Sequence, residues 1–367
     1  MELNNCQQAF LALVSAGLWE RSVPHFQYGD MDFEEIYRLA EEQAVIGLVA
    51  AGLEKVDGLI IPKRWALQFA GSALQIEQRN SAMNKFVAEL IQKLSEKGVY
   101  ALLVKGQGIA QCYERPLWRS CGDIDMLLSE SNYTQAKEIL LPIAQMVEKE
   151  EPYERHLGMT VDNWMVELHG SLRTRVSLKI DRGIDNLQNE LFYGGSVRSW
   201  VNGGTQVFIP SVNIDVLLIF THILKHYYIE GVGLRQICDW CRLLWVNREG
   251  IDRKYLETNI RKMGIMSEWK SFAALAVEKL GMPSEAMPFY FTGNKKALKI
   301  LLSMFDSGNM GHNRDVTYQK EYKPIKRKIA TFGVMIKYSV RRLIIFPCNT
   351  VNSLWMFTKR GVADLFR

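Results

Sequence analysis

Two aspartates inside an apolar segment constrain the fold of this chain more than any other feature. The run from Leu103 to Leu128 reads LVKGQGIAQCYERPLWRSCGDIDMLL, with Asp123 and Asp125 one residue apart near its end. Side chains at i and i+2 of a strand point to the same face, about 6.6 Å apart along it. Two like charges in an apolar setting are costly unless a cation or hydrogen bonds compensate them. The pair predicts a strand with a cation site on one face. In the alternative interpretation, Asp123 caps the strand end and Asp125 faces solvent on an edge strand.

A third acid in a later strand would complete such a site. Carboxylates without a nearby His–Cys cluster favour Mg²⁺ or Mn²⁺, and Mg²⁺ commonly takes one or two carboxylates together with substrate phosphate oxygens. In the segment WMVELH, Glu167 alternates with apolar neighbours and shares the polar face with His169. We therefore expect Asp123, Asp125 and Glu167 to form a metal site if their strands are adjacent.

A cationic, glycine-containing turn precedes the acids. Lys105, Gly106, Gln107 and Gly108 end an apolar strand and open a short helix, where free backbone N–H groups attract anions. Lys105 adds a point charge, and Arg119 adds a planar donor suited to phosphate oxygens. A lone Gly-x-Gly or a surface lysine carries little information, but the whole set predicts phosphate binding beside the acids.

Hydrophobic periodicity predicts helices at both ends of the chain and a mixed core between them. An amphipathic helix is expected from about Ile76 to Lys97, ended by Gly98. The core elements expected are strands at 99–104 and 123–128, a helix after Ser129, and a hairpin over His156–His169 with Asp162-Asn163 at its turn. Helices are expected from Ser211 or Asn213 to Tyr228 and from about Leu234 to Val246, whereas the polar residues 182–209 receive no assigned element. The regions are then a helical N-terminal region (1–75), an α/β core (76–210) and a helical C-terminal region with a basic tail (211–367).

Several of these segments together resemble a known family. The run LLVKG, then Tyr113, Pro116 and Arg119, the strand DIDMLL and the segment VELHGSL are similar to an uncharacterised bacterial nucleotidyltransferase family of the polymerase-β-like superfamily. The helical segment SVNIDVLLIFTHILKHYYIEGVGLRQICDWCRLL is similar as well, and the likeness covers roughly residues 80–250. The superfamily's usual Gly-Ser before the first helix is replaced here by Lys105-Gly106.

The resemblance implies an α+β fold with a small mixed sheet, flanking helices and a bound nucleoside triphosphate. It implies that Asp123 and Asp125 are metal ligands and catalytic residues, with Glu167 as the third acid. It also places His226, Arg235 and Asp239 near the nucleotide or the acceptor. His169, two residues from Glu167, would orient a neighbouring ligand or contact the acceptor, and the equally weighted alternative is a satisfied half-buried histidine. Arg235 and Asp239 stand at i, i+4 and would otherwise pair with each other. His222 and His226 have a spacing that suits zinc, but a core or acceptor-site role is favoured.

The function predicted is a metal-dependent transfer of a nucleotidyl group from an NTP to an unidentified acceptor, which would be a small molecule, a glycan precursor or a protein. The expected cofactor is Mg²⁺ or Mn²⁺. One alternative is a toxin-like nucleotidyltransferase that modifies tRNA, since the motif order also resembles abortive-infection toxins. The other alternative is a non-catalytic nucleotide-binding or interaction protein of the same fold.

Charge is concentrated at the C-terminal end. Residues 314–367 contain twelve Lys and Arg against three acids, a net +9 within a chain of net charge +5. A solvated helix face is the favoured explanation, with RNA or a peripheral membrane contact as alternatives.

The N-terminus lacks a signal-peptide pattern and no apolar run approaches the ~20 residues of a membrane span, so a cytoplasmic location is expected. The six cysteines are irregularly placed and predict no disulfide framework, and Cys238 and Cys241 are expected in the core.

Overall fold

A seven-stranded mixed sheet flanked by helices forms the centre of the molecule, so the predicted α+β fold is confirmed. The computed structural model describes residues 2–22, 31–195, 197–311 and 324–363, without the side chains of 324–332, 334–335 and 360–363. The helices of the N-terminal half are α1 Asn5–Trp19, α2 Phe33–Glu42, α3 Ile46–Leu53, α4 Lys63–Ser95, α5 Gly106–Ala110, α6 Glu130–Leu140 and α7 Leu178–Tyr193. The strands are β1 Ala101–Val104, β2 Asp123–Leu128, β3 Met146–Val147, β4 His156–Val161, β5 Trp164–His169, β6 Val197–Asn202 and β7 Thr205–Pro210. The helices that follow are α8 Val212–Lys225, α9 Leu234–Val246, α10 Arg253–Met263, α11 Met266–Leu280, α12 Lys296–Ser307, α13 Pro324–Ile345 and α14 Pro347–Ala363.

The strand that carries the two aspartates lies at the centre of the sheet. The strand order is β3-β4-β5-β2-β1-β7-β6, in which β2 pairs with β5 in parallel and with β1 in antiparallel orientation. The parallel register places Asp125 opposite Glu167, and the antiparallel register places it opposite Val104. An edge position for Asp125 is therefore wrong, and the third acid lies on the neighbouring strand as predicted.

The sheet separates two hydrophobic cores, and this separation explains the alternation along β2. Ile124, Met126 and Leu128 belong to the core that β2 shares with α4 and α6, whereas Leu127 belongs to the core shared with α8 and α9. Asp123 and Asp125 have the parity of Leu127 and therefore point to the α8–α9 side. That side is the one on which the site forms.

The predicted hairpin is confirmed together with its register. Asp162 and Asn163 adopt φ of 49° and 67°, the left-handed conformation that a two-residue turn requires. The register that follows places His156 directly opposite His169 at the open end of β4 and β5. The hairpin thus brings two imidazoles to the edge where the acids lie.

Two parts of the chain differ from the sequence-based expectation. The helix expected from Ile76 begins at Lys63, because no proline or cap interrupts the chain after Pro62, and the proposed boundary between residues 75 and 76 falls inside it. Residues 182–209, left without an element, form most of α7 and a β6–β7 hairpin. The partly exposed, polar edge strand β6 lacks the apolar run by which strands are recognised. The division into three regions stays a prediction.

Close approach of backbones fixes the predicted N-terminal helical region. A Cβ atom on Gly17 would lie 1.9 Å from the carbonyl oxygen of Leu48, and one on Gly52 would lie 2.0 Å from that of Leu13. Neither position tolerates a side chain without separating α1 from α3. These helices pack against the same core as α8 and α9.

The C-terminal helices α13 and α14 dock on the core, as their apolar content predicts. Ile345 and Phe346 are buried, and the Asn349 amide donates to the Glu268 carboxylate at 2.7 Å. The same helices leave Ile344 71% exposed and Trp355 52% exposed. A peripheral membrane contact of this region stays a prediction, and residues 312–323 of the basic tail lie outside the described residues.

None of the helices in the described ranges is both long and apolar enough to cross a bilayer. The cysteines are free thiols, and Cys238 and Cys241 are fully buried in α9, which confirms the core assignment of that pair.

Candidate active site

A cavity of about 180 Å³ lies between the central strands and helices α8 and α9. Its two sides are named here by the elements that form them. The sheet wall consists of Lys105, Asp123, Asp125, His156, Glu167 and His169. The helix wall consists of His222, Lys225, His226, Glu230, Arg235 and Asp239. Most of the residues predicted from three separate segments of the sequence thus line one cavity.

Asp125 is the buried centre of the sheet wall. Its side chain is 3% exposed, and its Oδ1 atom accepts a hydrogen bond of 2.7 Å from Lys105 Nζ and lies 2.7 Å from His169 Nε2. Burial would raise the pKa of this carboxyl, but the nearby positive charge of Lys105 and the contact with His169 outweigh it and lower the pKa. Asp125 is therefore held as a carboxylate.

Glu167 lies beside Asp125 and contacts both imidazoles of the hairpin. Glu167 Oε2 is 3.1 Å from His156 Nε2 and 3.3 Å from His169 Nε2. The two rings are stacked with centroids 4.7 Å apart. Burial opposes ionisation of Glu167, but the two histidines and Lys105 hold its pKa below the usual value. Glu167 is a second ionised carboxylate in the wall.

Asp123 shows that the sheet wall lacks positive charge. The negative charge of Asp125, then burial and the charge of Glu167, raise the pKa of Asp123 despite the presence of Lys105 and Arg235. Three carboxylates thus converge where one lysine cannot neutralise them all. A divalent cation would relieve this repulsion, and oxygen donors of this kind suit Mg²⁺ or Mn²⁺. The residues present fit the metal that the resemblance implies.

Lys105 adopts a strained backbone conformation. Its φ and ψ are 59° and −144°, a region that non-glycine residues rarely occupy, and Gly106 follows with φ of 37°. Such strain costs about 1–3 kcal/mol and persists where the surrounding structure imposes it. Here it accompanies the turn out of β1 that places Nζ against Asp125.

Histidines and a glutamate of the helix wall form a contact chain across a π-helix. His222 Nε2 lies 2.8 Å from His226 Nε2, and His226 Nδ1 lies 2.8 Å from Glu230 Oε2. His226 and Glu230 are the first and last residues of the π-helical turn that continues α8. Burial, and then the charge of Lys105, hold the pKa of His222 well below its usual value, so this imidazole is neutral. Single π-turns of this kind are often found at functional sites.

Arg119 is placed at the cavity but is already paired. Its Nε and Nη2 atoms donate to Asp239 Oδ1 and Oδ2 at 2.7 Å each, and Tyr113 donates to Oδ1 at 2.7 Å. The Arg119 and Asp239 side chains are 5% and 6% exposed. Asp239 therefore pairs with Arg119 and not with Arg235, because the fold brings the Arg119 fork to the buried face of α9. This bidentate pair joins the core to α9 and leaves Arg119 poorly placed to bind phosphate.

Arg235 is the less constrained guanidinium. Its Nη1 atom donates to the Ser120 carbonyl oxygen at 2.9 Å, and its Nε atom is buried without a hydrogen-bond partner. Arg235 also contributes positive charge at Asp123. The structure thus leaves donor capacity on Arg235 beside the acids.

Two residues of the glycine-containing turn do not reach the cavity. Lys105 and Gly106 line it, whereas the Gln107 amide donates to Asn80 Oδ1 at 3.0 Å in the interior and Gly108 packs toward Ile209. The helix α5 that follows has only five residues. The prediction that Gln107 and Gly108 contact the nucleotide is not supported by their positions, since the turn directs them into the core.

Sequence reasoning missed three residues of the two walls, namely His156, Lys225 and Glu230. His156 could have been found from the hairpin, because a two-residue turn at Asp162-Asn163 sets it opposite His169. Glu230 stands at i, i+4 from His226, but only the π-helical turn and the fold of α8 onto the sheet reveal that it belongs to the site.

The mixed sheet presents acids from two adjacent strands beside a lysine and is covered by helices, as the nucleotidyltransferase resemblance implies. The sequence pattern of an uncharacterised nucleotidyltransferase family matches residues 29–281, which is well over half of the chain and includes both walls of the cavity. The chain belongs to this family. No curated protein and no solved structure showed a significant match to it. Family membership supports nucleotidyl transfer as the general activity.

Proposed function

We propose that the protein transfers a nucleotidyl group from a nucleoside triphosphate to an acceptor, using divalent ions held by Asp123, Asp125 and Glu167. The observation that carries the proposal is the convergence of these three carboxylates, from β2 and β5, in one cavity with Lys105. Bound divalent ions would supply Lewis-acid stabilisation of phosphate oxygens, as in other phosphoryl-group transfers.

In the reaction the acceptor hydroxyl oxygen bonds to the α-phosphorus while the bond from that phosphorus to the bridging oxygen breaks. Pyrophosphate leaves with the bonding electron pair, and the hydroxyl proton passes to a base. Lys105 and Arg235 neutralise the triphosphate in this proposal, because both face the acids and Arg235 retains an unpartnered Nε. Arg119 holds the site together through Asp239.

The base is assigned to the helix wall. Glu167 lies opposite Asp125 in the sheet wall, where this proposal uses its carboxylate as a metal ligand and not as the proton acceptor. His222 is neutral, and within this proposal we assign the arrangement of protons in which His226 Nε2 accepts from His222 and His226 Nδ1 faces Glu230. In that arrangement His226 Nδ1–H points to Glu230 and His222 Nε2–H donates to His226. His222 Nδ1 is then free to accept the proton from the acceptor.

The experiment that tests the proposal uses the full chain with NTPs labelled at the α-phosphate. The protein is incubated with Mg²⁺ or Mn²⁺ and, separately, with small-molecule, protein and total-RNA fractions of cells. Transfer of label to one fraction, with release of unlabelled pyrophosphate and loss of both in the Asp123→Asn/Asp125→Asn variant, is the expected result. In a parallel reaction with NTP labelled at the γ-phosphate, transfer of label to the acceptor would contradict the proposal, since it would indicate a kinase.

The same experiment separates the alternatives. Label on RNA alone would favour the toxin-like modifier of tRNA, for which the basic C-terminal region is the motivating feature. Binding of NTP without label in any fraction, unchanged when all three acids are replaced, would favour a non-catalytic interaction protein.

A further inference from the structure

We propose that His156, Glu167 and His169 form a metal position that holds a divalent transition-metal ion, such as Zn²⁺, in preference to Mg²⁺. The inference rests on the proposed function, and it deepens it by naming the class of ion that one position of the site selects. Sequence reasoning assigned carboxylates alone to the metal, and His156 was not among the candidates.

The first argument is the donor set. One nitrogen of His156, one oxygen of Glu167 and one nitrogen of His169 all lie within 4.8 Å of one another. The N–O separations are 3.1 Å and 3.3 Å. Ligands at about 2.0–2.1 Å from a tetrahedral Zn²⁺ are roughly 3.3–3.4 Å apart, so these separations suit a common ion. Two imidazoles and one carboxylate are ligands that favour transition metals, whereas Mg²⁺ favours oxygen alone.

The second argument is an unsatisfied atom. His156 Nε2 is buried and makes no hydrogen bond, although it lies 3.1 Å from Glu167 Oε2. Buried polar atoms of side chains usually have a partner, and a shared cation would supply one to His156 Nε2. His226 Nδ1 is also buried without a hydrogen bond beside Glu230, so this argument applies to the sheet wall only together with its donor set.

The third argument is the contrast with the other histidine pair. His222 and His226 lie 2.8 Å apart, which is a hydrogen-bonding distance and too short for two ligands of one ion. Their nearest described carboxylate, Glu230, contacts the far nitrogen of His226. The helix wall therefore lacks the donor arrangement that the sheet wall has, and it provides a matched control.

The experiment measures metal binding without NTP and without turnover. The full chain is stripped with a chelator and dialysed against Zn²⁺, Co²⁺ or Mg²⁺, and bound metal is measured by elemental analysis. The Co²⁺ form is examined by visible spectroscopy, because thiolate ligation by the cysteines gives intense near-ultraviolet charge-transfer bands that imidazole and carboxylate ligation does not. His156→Gln and His169→Gln test the site, and His222→Gln is the control, with circular dichroism to confirm folding.

About one transition ion per chain is expected, with affinity reduced roughly ten- to hundredfold or more in His156→Gln and unchanged in His222→Gln. Retention of the ion by His156→Gln, equal loss in His222→Gln, thiolate bands, or no transition ion in the wild type would each overturn the inference. If no transition ion binds but Mg²⁺–NTP binding still depends on Asp123 and Asp125, the inference fails while the proposed function stands. Absence of both kinds of binding would instead count against the proposed function.

Discussion

The sheet wall and the helix wall of the cavity each contain a pair of histidines, and one member of each pair, His156 and His222, is in an electrostatic setting opposite to that of the other. The contact of His156 with Glu167 outweighs burial and raises the pKa of His156. His222 has no such carboxylate, and burial together with the charge of Lys105 lowers its pKa. The protonated imidazole is thus favoured at His156 on the sheet wall, whereas the neutral imidazole is favoured at His222 on the helix wall. The proposed role of a histidine in this cavity, as metal ligand or as general base, therefore depends on the carboxylates within its reach.

The largest effect is expected from the acids of the sheet wall. Asp125→Asn removes a carboxylate that contacts both Lys105 and His169, and nucleotidyl transfer should fall by roughly 10²–10⁴, the range of several kcal/mol of lost charge stabilisation. Initial rates with α-labelled NTP measure this. Asp162→Asn, the same substitution in the exposed hairpin turn, is the control and should leave the rate unchanged. Equal rates for Asp125→Asn and wild type would show that the carboxylate of Asp125 takes no part in the reaction.

The histidine of the helix wall is expected to affect the chemical step alone. His222→Gln should lower the turnover rate by about 10²-fold or more, the usual contribution of a general base, with little change in NTP affinity. Single-turnover rates and equilibrium binding measure the two quantities separately. If His222→Gln lost NTP affinity but kept its turnover rate, His222 would bind the nucleotide. The helix wall would then not supply the general base.

Two substitutions should distinguish a structural role for Arg119 from a phosphate-binding role for Arg235. Asp239→Asn leaves Arg119 in a buried setting without its charged partner, and the free energy of unfolding should fall by about 3–5 kcal/mol. Arg235→Gln should leave stability nearly unchanged and weaken NTP binding by roughly ten- to hundredfold, the value of a hydrogen bond to a charged group. Urea unfolding and calorimetry measure both effects. The reverse pattern would assign Arg119 to the phosphates.

The smallest effect concerns the acid stability of the helix wall. Burial would raise the pKa of Glu230, but its contact with His226 and the charges of Lys225 and Lys105 lower it to about 2. A carboxyl with a lowered pKa stabilises the fold above its unfolded pKa near 4.3, and this stabilisation is lost as the pH falls toward 2. Glu230 is 40% exposed, so solvent screens much of the attraction. Thermal unfolding at pH 6 and pH 3 should show a smaller drop for Glu230→Gln than for wild type. An identical drop would mean that the contact contributes nothing.

Much of the sheet wall could be predicted from local sequence patterns. Alternation along a strand sets Asp123 and Asp125 on one face, and the Asp162-Asn163 turn sets the register that carries Glu167 and His169. These are relations between residues a few positions apart, which backbone geometry fixes before any packing is known.

The helix wall could not be predicted in the same way. The i, i+4 spacing of Arg235 and Asp239 predicts a pair between them, yet Asp239 binds Arg119, which lies 120 residues away. Helical spacing shows which side chains share a face, but only tertiary packing decides which partner is buried against that face. The π-helical turn at His226 is likewise a property of the folded chain, and so is the role of Glu230.

Calorimetric titration with a non-hydrolysable NTP analogue is the most direct test that the two walls enclose a metal-dependent nucleotide site. The wild-type chain should bind the analogue only when a divalent ion is present, and Asp123→Asn/Asp125→Asn should weaken that binding by about 100-fold or more. Binding of equal strength without a divalent ion, or in the double variant, would contradict the account.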